Sequence, residues 1–196
     1  MPPLDPHTRQ RLLRIARRAI ETAVLNGGKG DPAVVPPEHP PDDADLTALP
    51  RSGVFVTLHK GERLRGCIGT FDASDDLLPT LRRIAVAATQ DPRFRATSIS
   101  FRELAEISIE ISLLSPMRRL ANPMDLVLGR DGIYIRRGSR SGCFLPDVAT
   151  EQGWDQAEFL SQCCAHKAGL PPDAWRSKET EVSVFSVEKF GDYTSL

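Results

Sequence analysis

Residues Gly53–Phe71 constrain this chain more than any other stretch. Val54, Val56 and Leu58 alternate with Phe55, Thr57 and His59; beyond Gly61, Leu64 and Ile68 alternate with Arg63, Arg65 and Cys67. Period-two patterning on both sides of a glycine-bearing turn marks a β-hairpin with one apolar face. A hairpin commits the chain to antiparallel pairing. It also commits it to a register, because a one-residue slip turns every side chain to the other face. A three-residue loop, Lys60-Gly61-Glu62, pairs Leu58 with Leu64 and Val56 with Gly66, so the apolar residues share a face. It sets Phe55 opposite Cys67 and Thr57 opposite Arg65 on the other face; a two-residue loop would mix the faces.

Around the hairpin the patterns are mixed. Leu12, Leu13, Ala16, Ala19, Ile20, Ala23 and Val24 recur at helical spacing and predict a helix from about Thr8 to Asn26, ended by Gly27-Gly28. Arg9, Arg11, Arg14, Arg17 and Arg18 fill most of its other side, which reads first as a solvated face and second as a phosphate contact. Gly27–Pro50 is rich in Gly, Pro and Asp and reads as a flexible loop. A second helix is expected over Leu78–Gln90, with Pro79 in its first turn. Ser100 and Glu103 have capping-box spacing over one short turn. Glu106–Leu114 alternates as a strand. Ile133–Arg136 and Cys143–Leu145 read as short strands joined by a Gly138–Gly142 loop. A third helix runs from an Asp155–Glu158 cap to about Lys167, with Trp154 and Trp175 as staples, and Glu181–Val187 is a last strand. Helices mixed with antiparallel strands predict the α+β class.

Composition narrows the function classes. The chain has 25 basic and 26 acidic residues in 196, so no overall field commits it to nucleic acid or an anionic membrane. No window approaches a membrane-spanning run, and the N-terminus lacks the apolar stretch of a signal peptide, so the expected compartment is the cytoplasm. Cysteines 67, 143, 163 and 164 have no CxxC spacing and form neither a disulfide framework nor a metal motif. Cys163 and Cys164 sit on the third helix, where core packing explains them. The residues name no cofactor.

The chemistry on offer centres on Leu64-Arg-Gly-Cys-Ile-Gly-Thr70. Gly66 and Gly69 bracket Cys67 closely and let another group approach the backbone and thiol. Arg65, two residues before Cys67, is expected on the same strand face, where its charge would favour thiolate over thiol. Cys67 is therefore the candidate catalytic residue. Arg65, Arg93, and Arg140 with Ser141 in the Gly-Ser loop sit beside glycine or proline punctuation; converging on a cleft, the arginines would clamp an anion by forked hydrogen bonds. The alternative is a small buried cysteine in a tight hairpin and separate surface arginines.

The same residues carry a family resemblance. Gly53-Val-Phe-Val-Thr-Leu58, Leu64-Arg-Gly-Cys-Ile-Gly-Thr70, Asp91-Pro-Arg-Phe94, Arg136-Arg-Gly138 with Arg140-Ser-Gly142, Phe144-Leu-Pro146, Glu151-Gln-Gly-Trp-Asp155 and Lys167-Ala-Gly-Leu-Pro-Pro-Asp-Ala-Trp175 resemble, in order, the AMMECR-one domain family. That family is the A component of the AmmeMemoRadiSam gene neighbourhood. The resemblance spans nearly the whole chain and implies a single domain over residues 1–196, made of a larger and a smaller subdomain closely packed, with a cleft between them near Cys67. It further implies association with Memo-like and radical-SAM proteins in a modification pathway. Where the family has glutamine after Leu-Pro, this chain has Asp147.

Two readings follow. In one, the protein is a cysteine-dependent enzyme or enzyme subunit acting on an anionic small molecule. In the other, it is a non-catalytic binding or scaffold module for a metabolite, a protein or RNA. Nucleic-acid binding through the first helix is weakest, because the charges balance.

Overall fold

The computed structural model describes residues 3–26, 46–50, 52–71, 73–97 and 99–192. The chain forms two compact units, Met1–Leu113 with Glu188–Leu196, and Leu114–Val187. Each has a four-stranded antiparallel sheet and its own apolar core, so the class is α+β, with helices flanking the sheets.

In the first unit, helix α1 (Pro6–Leu25) starts two residues earlier than its apolar pattern indicates. The Asp5 side chain accepts the Thr8 N–H at 3.0 Å, and Pro6 occupies the first turn without losing a needed donor. The α1 stripe from Leu12 to Ala23 packs with α2 (Leu77–Thr89) over a sheet of strand order β2-β1-β3-β8. These strands are β1 (Val54–Lys60), β2 (Arg63–Thr70), β3 (Ile107–Leu114) and β8 (Val187–Gly191). Val54, Val56 and Leu58 pair with Leu113, Ile111 and Ile109 and face the helices, essentially without exposure. Burying each such side chain contributes about 1.5–3 kcal/mol, so packing rather than propensity holds the helices down.

Part of the arginine side of α1 is used inside the unit. Arg9 Nε donates to Glu188 Oε1 at 2.9 Å. Arg17 donates to the Leu104 and Ile107 carbonyls and to Asp192 Oδ2, while Asp192 Oδ1 accepts the Ile109 N–H. Arg11 is buried. Arg9 and Arg17 thus tie distant segments of the unit together, while Arg14 and Arg18 are exposed. The Gly27–Pro50 loop falls mostly outside the described residues, but Leu46, near its end, is buried in the first core.

The hairpin is real, and its expected register is not. The turn is Gly61-Glu62, with Lys60 opposite Arg63, and Gly61 takes the left-handed φ of +56° that a tight hairpin turn requires. The register then shifts at Leu58/His59, leaving Arg65 as the extra residue of a β-bulge. Beyond it Leu58 pairs with Gly66, Val56 with Ile68, Thr57 with Cys67 and Phe55 with Gly69. The bulge restores the parity that the two-residue turn breaks. It keeps Val54, Val56 and Leu58 inward and puts Leu64, opposite His59, on the same face as Cys67.

The second unit has strand order β4-β7-β5-β6, from β4 (Arg118–Arg119), β5 (Gly132–Arg137), β6 (Arg140–Phe144) and β7 (Glu181–Phe185). The expected Gly138–Gly142 loop is a two-residue turn, Gly138-Ser139, so Arg140 and Ser141 are strand residues. Helix α3 (Asp147–Gln152), absent from the pattern reading, opens on Asp147, where an acid suits the helix N-terminus. Helix α4 (Gln156–Cys163) has its Asp155–Glu158 capping box and is followed by a wider turn over Cys164–Ala168 that Gly169 ends. Cys163 and Cys164 are core residues. Trp175 Nε1 donates to Ser161 Oγ at 3.0 Å, and Phe144 stacks on Phe159. The single strand expected at Glu181–Val187 is two: β7 in this sheet and β8 in the other.

Candidate functional site at Cys67

β2 is an edge strand, and a bare edge exposes unpaired backbone groups. At Cys67 that edge is covered by side chains. Asp91, just past the end of α2, accepts the Cys67 N–H on Oδ2 at 2.9 Å. Arg93 Nη2 donates to the Cys67 carbonyl at 3.1 Å and to Asp91 Oδ2 at 2.7 Å, while Arg93 Nε donates to Asp91 Oδ1 at 3.1 Å. The Arg93 N–H also closes a turn on Asp91 Oδ1, and the Phe94 N–H one on the Asp91 carbonyl. The Asp91–Arg93 pair thus stands where a neighbouring strand would, and satisfies both backbone groups of Cys67.

The electrostatics follow. The Arg93 guanidinium, and then the Cys67 N–H, hold the Asp91 carboxyl well below the usual carboxylate range against the burial that would raise it. Asp91 in turn raises the Arg93 pKa above its ordinary value, and Cys67 beside it adds to that. The Asp91 side chain is 1 % exposed and the Arg93 side chain 59 %, so one end of the pair is an anchor and the other faces solvent.

Cys67 itself is half-buried. Its Sγ accepts the Thr57 hydroxyl at 3.3 Å. Thr57 lies opposite Cys67 on one side and Glu110 of β3 on the other, so a thiol, a hydroxyl and a carboxylate form one cross-strand row on the face away from α1 and α2.

On their Cα side both motif glycines lie against close neighbours. A Cβ on Gly66 would come within 2.1 Å of the Ala88 carbonyl oxygen, and one on Gly69 within 2.1 Å of the Phe55 ring. The groups that approach the backbone are therefore the C-terminal turn of α2 and a cross-strand phenylalanine.

Of the candidate arginines, Arg93 is the one placed at Cys67. The bulge removes Arg65 from the face of Cys67; its side chain is 5 % exposed and paired with Glu103. Arg65 and the Ser100 capping contacts lower the Glu103 pKa to about 2. Arg140 and Ser141 belong to the second unit, where Arg140 Nη1 donates to the Gly169 carbonyl at 2.9 Å. Sequence reasoning missed Asp91 and Thr57 as members of the site. Asp91 left a signal, because an aspartate two residues before an arginine in Asp-Pro-Arg can close a local side-chain turn; Thr57 left none without the correct register. Among the described residues no group of three or more His, Cys, Asp or Glu side chains could hold a metal ion, and no helix is long and apolar enough to cross a membrane.

Comparison with known proteins agrees with the motif resemblance. The AMMECR1 family profile matches residues 13–190. Protein MK0488 of Methanopyrus kandleri is 43% identical over 188 residues, covering 91% of this chain and 86% of that protein. A protein of Methanothermobacter thermautotrophicus is 41% identical over 195 residues, covering 96% of each chain. The crystal structure of the uncharacterized protein PH0010 from Pyrococcus horikoshii aligns with a TM-score of 0.77 at 35% identity, covering 97% of this chain and 94% of that one. On a profile match across nearly its whole length, the chain belongs to the AMMECR1 family.

Proposed function

We propose that the protein is a cysteine-dependent enzyme or enzyme subunit in which Cys67 is the nucleophile or thiol ligand and Arg93 orients an anionic small molecule beside it. The observation that carries this reading is the anchoring of an exposed guanidinium to the backbone of Cys67 through a buried carboxylate. A structural cysteine needs no such cation; a reactive thiol does, because the thiolate is the reacting species. Working alongside Memo-like and radical-SAM proteins, as the family resemblance implies, fits a subunit of this kind and is tested by co-purification with those proteins.

The test is alkylation of the folded protein with iodoacetamide, resolved cysteine by cysteine by mass spectrometry. Cys67 is expected to react while Cys143, Cys163 and Cys164 do not. A Cys67 that stays unreactive while the fold is intact overturns the proposal. A second reading, the non-catalytic binding module, has one observation in its favour: the side chain paired with Cys67 across the strands is the Thr57 hydroxyl, which donates to Sγ, and a hydroxyl is no general base. An inert Cys67 would put that reading first.

A further inference from the structure

We infer that the free edge of β2 carries a carboxylate-binding site formed by Nη1 of Arg93 and the backbone N–H of Gly69, next to the Cys67 thiol. The inference rests on the reading of Cys67 as a reactive thiol and adds the chemical class of the molecule that reaches it.

A guanidinium offers five N–H donors. In Arg93, Nε serves Asp91, and Nη2 serves Asp91 and the Cys67 carbonyl. Nη1 donates to no oxygen atom among the described residues, and the side chain is exposed and lies beside the Cys67 thiol. The donors left over sit on a side chain already held at four contacts, so binding costs little further ordering.

The second donor follows from the ladder. Residues paired across antiparallel strands alternate between exchanging both backbone bonds and exchanging none. The Cys67 N–H goes to Asp91, so Thr57–Cys67 is a pair that exchanges none. Val56–Ile68 then exchanges both and Phe55–Gly69 none. The Gly69 N–H therefore points out of the sheet on the same edge as that of Cys67, one step further along, beside the carbonyl that Arg93 holds.

An extended peptide cannot add to this edge, because Asp91 and Arg93 already occupy the Cys67 N–H and carbonyl. A small ligand can. The single charge of Arg93 is answered by Asp91, so a dianionic phosphate would meet too little positive charge beside a fixed carboxylate. A planar monoanionic carboxylate fits the remaining Nη1 donors and one amide.

Iodoacetate and iodoacetamide test this, being nearly isosteric and differing in the carboxylate. The iodoacetate-to-iodoacetamide rate ratio at Cys67 is expected to exceed that of N-acetylcysteine by tenfold or more. Acetate is expected to slow the iodoacetate reaction where equimolar phosphate does not. Arg93→Gln is expected to return the ratio to that of the small thiol; Arg93→Lys, which keeps the charge and loses the fork, covers the case where Arg93→Gln fails to fold and is expected to lower the ratio as well. A wild-type ratio equal to that of N-acetylcysteine overturns the carboxylate site and leaves the reactive thiol standing. Equal protection by phosphate overturns the carboxylate class. Inertness toward both reagents removes the reactive thiol and this inference with it.

Discussion

The carboxylate of Asp91 accepts the backbone N–H of Cys67 at 2.9 Å across 24 positions of sequence, and this bond ties the turn after α2 to the edge of the first sheet. Because the same carboxylate holds Arg93, it sets the strand edge and places the cation together. Asp91→Asn keeps the shape but replaces an anion that accepts four N–H bonds by an amide with one acceptor oxygen. The expected cost is about 2 kcal/mol, read from the urea midpoint. The same variant should slow iodoacetate modification of Cys67 several-fold, because Arg93 is no longer fixed.

Acid should reveal two carboxylates. Arg93 first of all holds Asp91 below its usual 3.8, and Arg65 first of all holds Glu103 at about 2, below 4.5. A depressed folded-state pKa gives stability that is fully present above the unfolded value and lost as pH falls through the folded one. Unfolding stability is therefore expected to be flat above about pH 5 on account of these groups and to fall progressively below it. In Glu103→Gln the decline between pH 4.5 and 2 should be shallower. An unchanged slope would show that Glu103 titrates alike in both states.

Gly66→Ala and Gly69→Ala meet clashes of equal closeness and different character. At Gly66 the obstacle is the Ala88 backbone, which moves only if α2 moves, and an overpacking cost of about 2–3 kcal/mol is expected. At Gly69 it is the Phe55 ring, a side chain that can be shortened. Phe55→Leu is expected to recover part of the Gly69→Ala loss and none of the Gly66→Ala loss, a coupling that thermal unfolding of the double variants measures.

Arg65→Gln separates the motif arginine from the site. It should destabilise the protein by about 1–3 kcal/mol through the loss of the Glu103 pair, while iodoacetamide modification of Cys67 in the folded state stays within about twofold of wild type. A tenfold loss of reactivity would return Arg65 to the thiol.

The other cysteines should label only on unfolding. Burial pushes the thiols of Cys143, Cys163 and Cys164 up, with the Lys167 charge opposing it at Cys143 and Cys163. Iodoacetamide labelling with and without denaturant reads this directly, and labelling of Cys163 in native buffer would show that the second core opens.

Local pattern was enough for much of this protein. The apolar stripe of α1, the period-two strands β1 and β3, the capping boxes at Ser100 and Asp155 and the motif around Cys67 all depend on residues close in sequence, so composition and spacing expose them. Short or context-held elements were not legible. Strand β4 is two residues long, and α3 is one and a half turns with no stripe.

The sequence by itself determined the hairpin, the α+β class and the family motifs, including the one that holds Cys67. Only the tertiary structure decided which arginine lies at its backbone. Alternation alone could not distinguish a three-residue loop from a two-residue turn followed by a bulge, since both keep Val56 and Leu58 on the core face. The bulge is chosen by packing: Gly66 must meet the Ala88 carbonyl, and Arg65 must reach Glu103. That choice sends the neighbouring arginine into the protein, and the cation at the Cys67 carbonyl is Arg93, which the segment after α2 brings from 26 positions away.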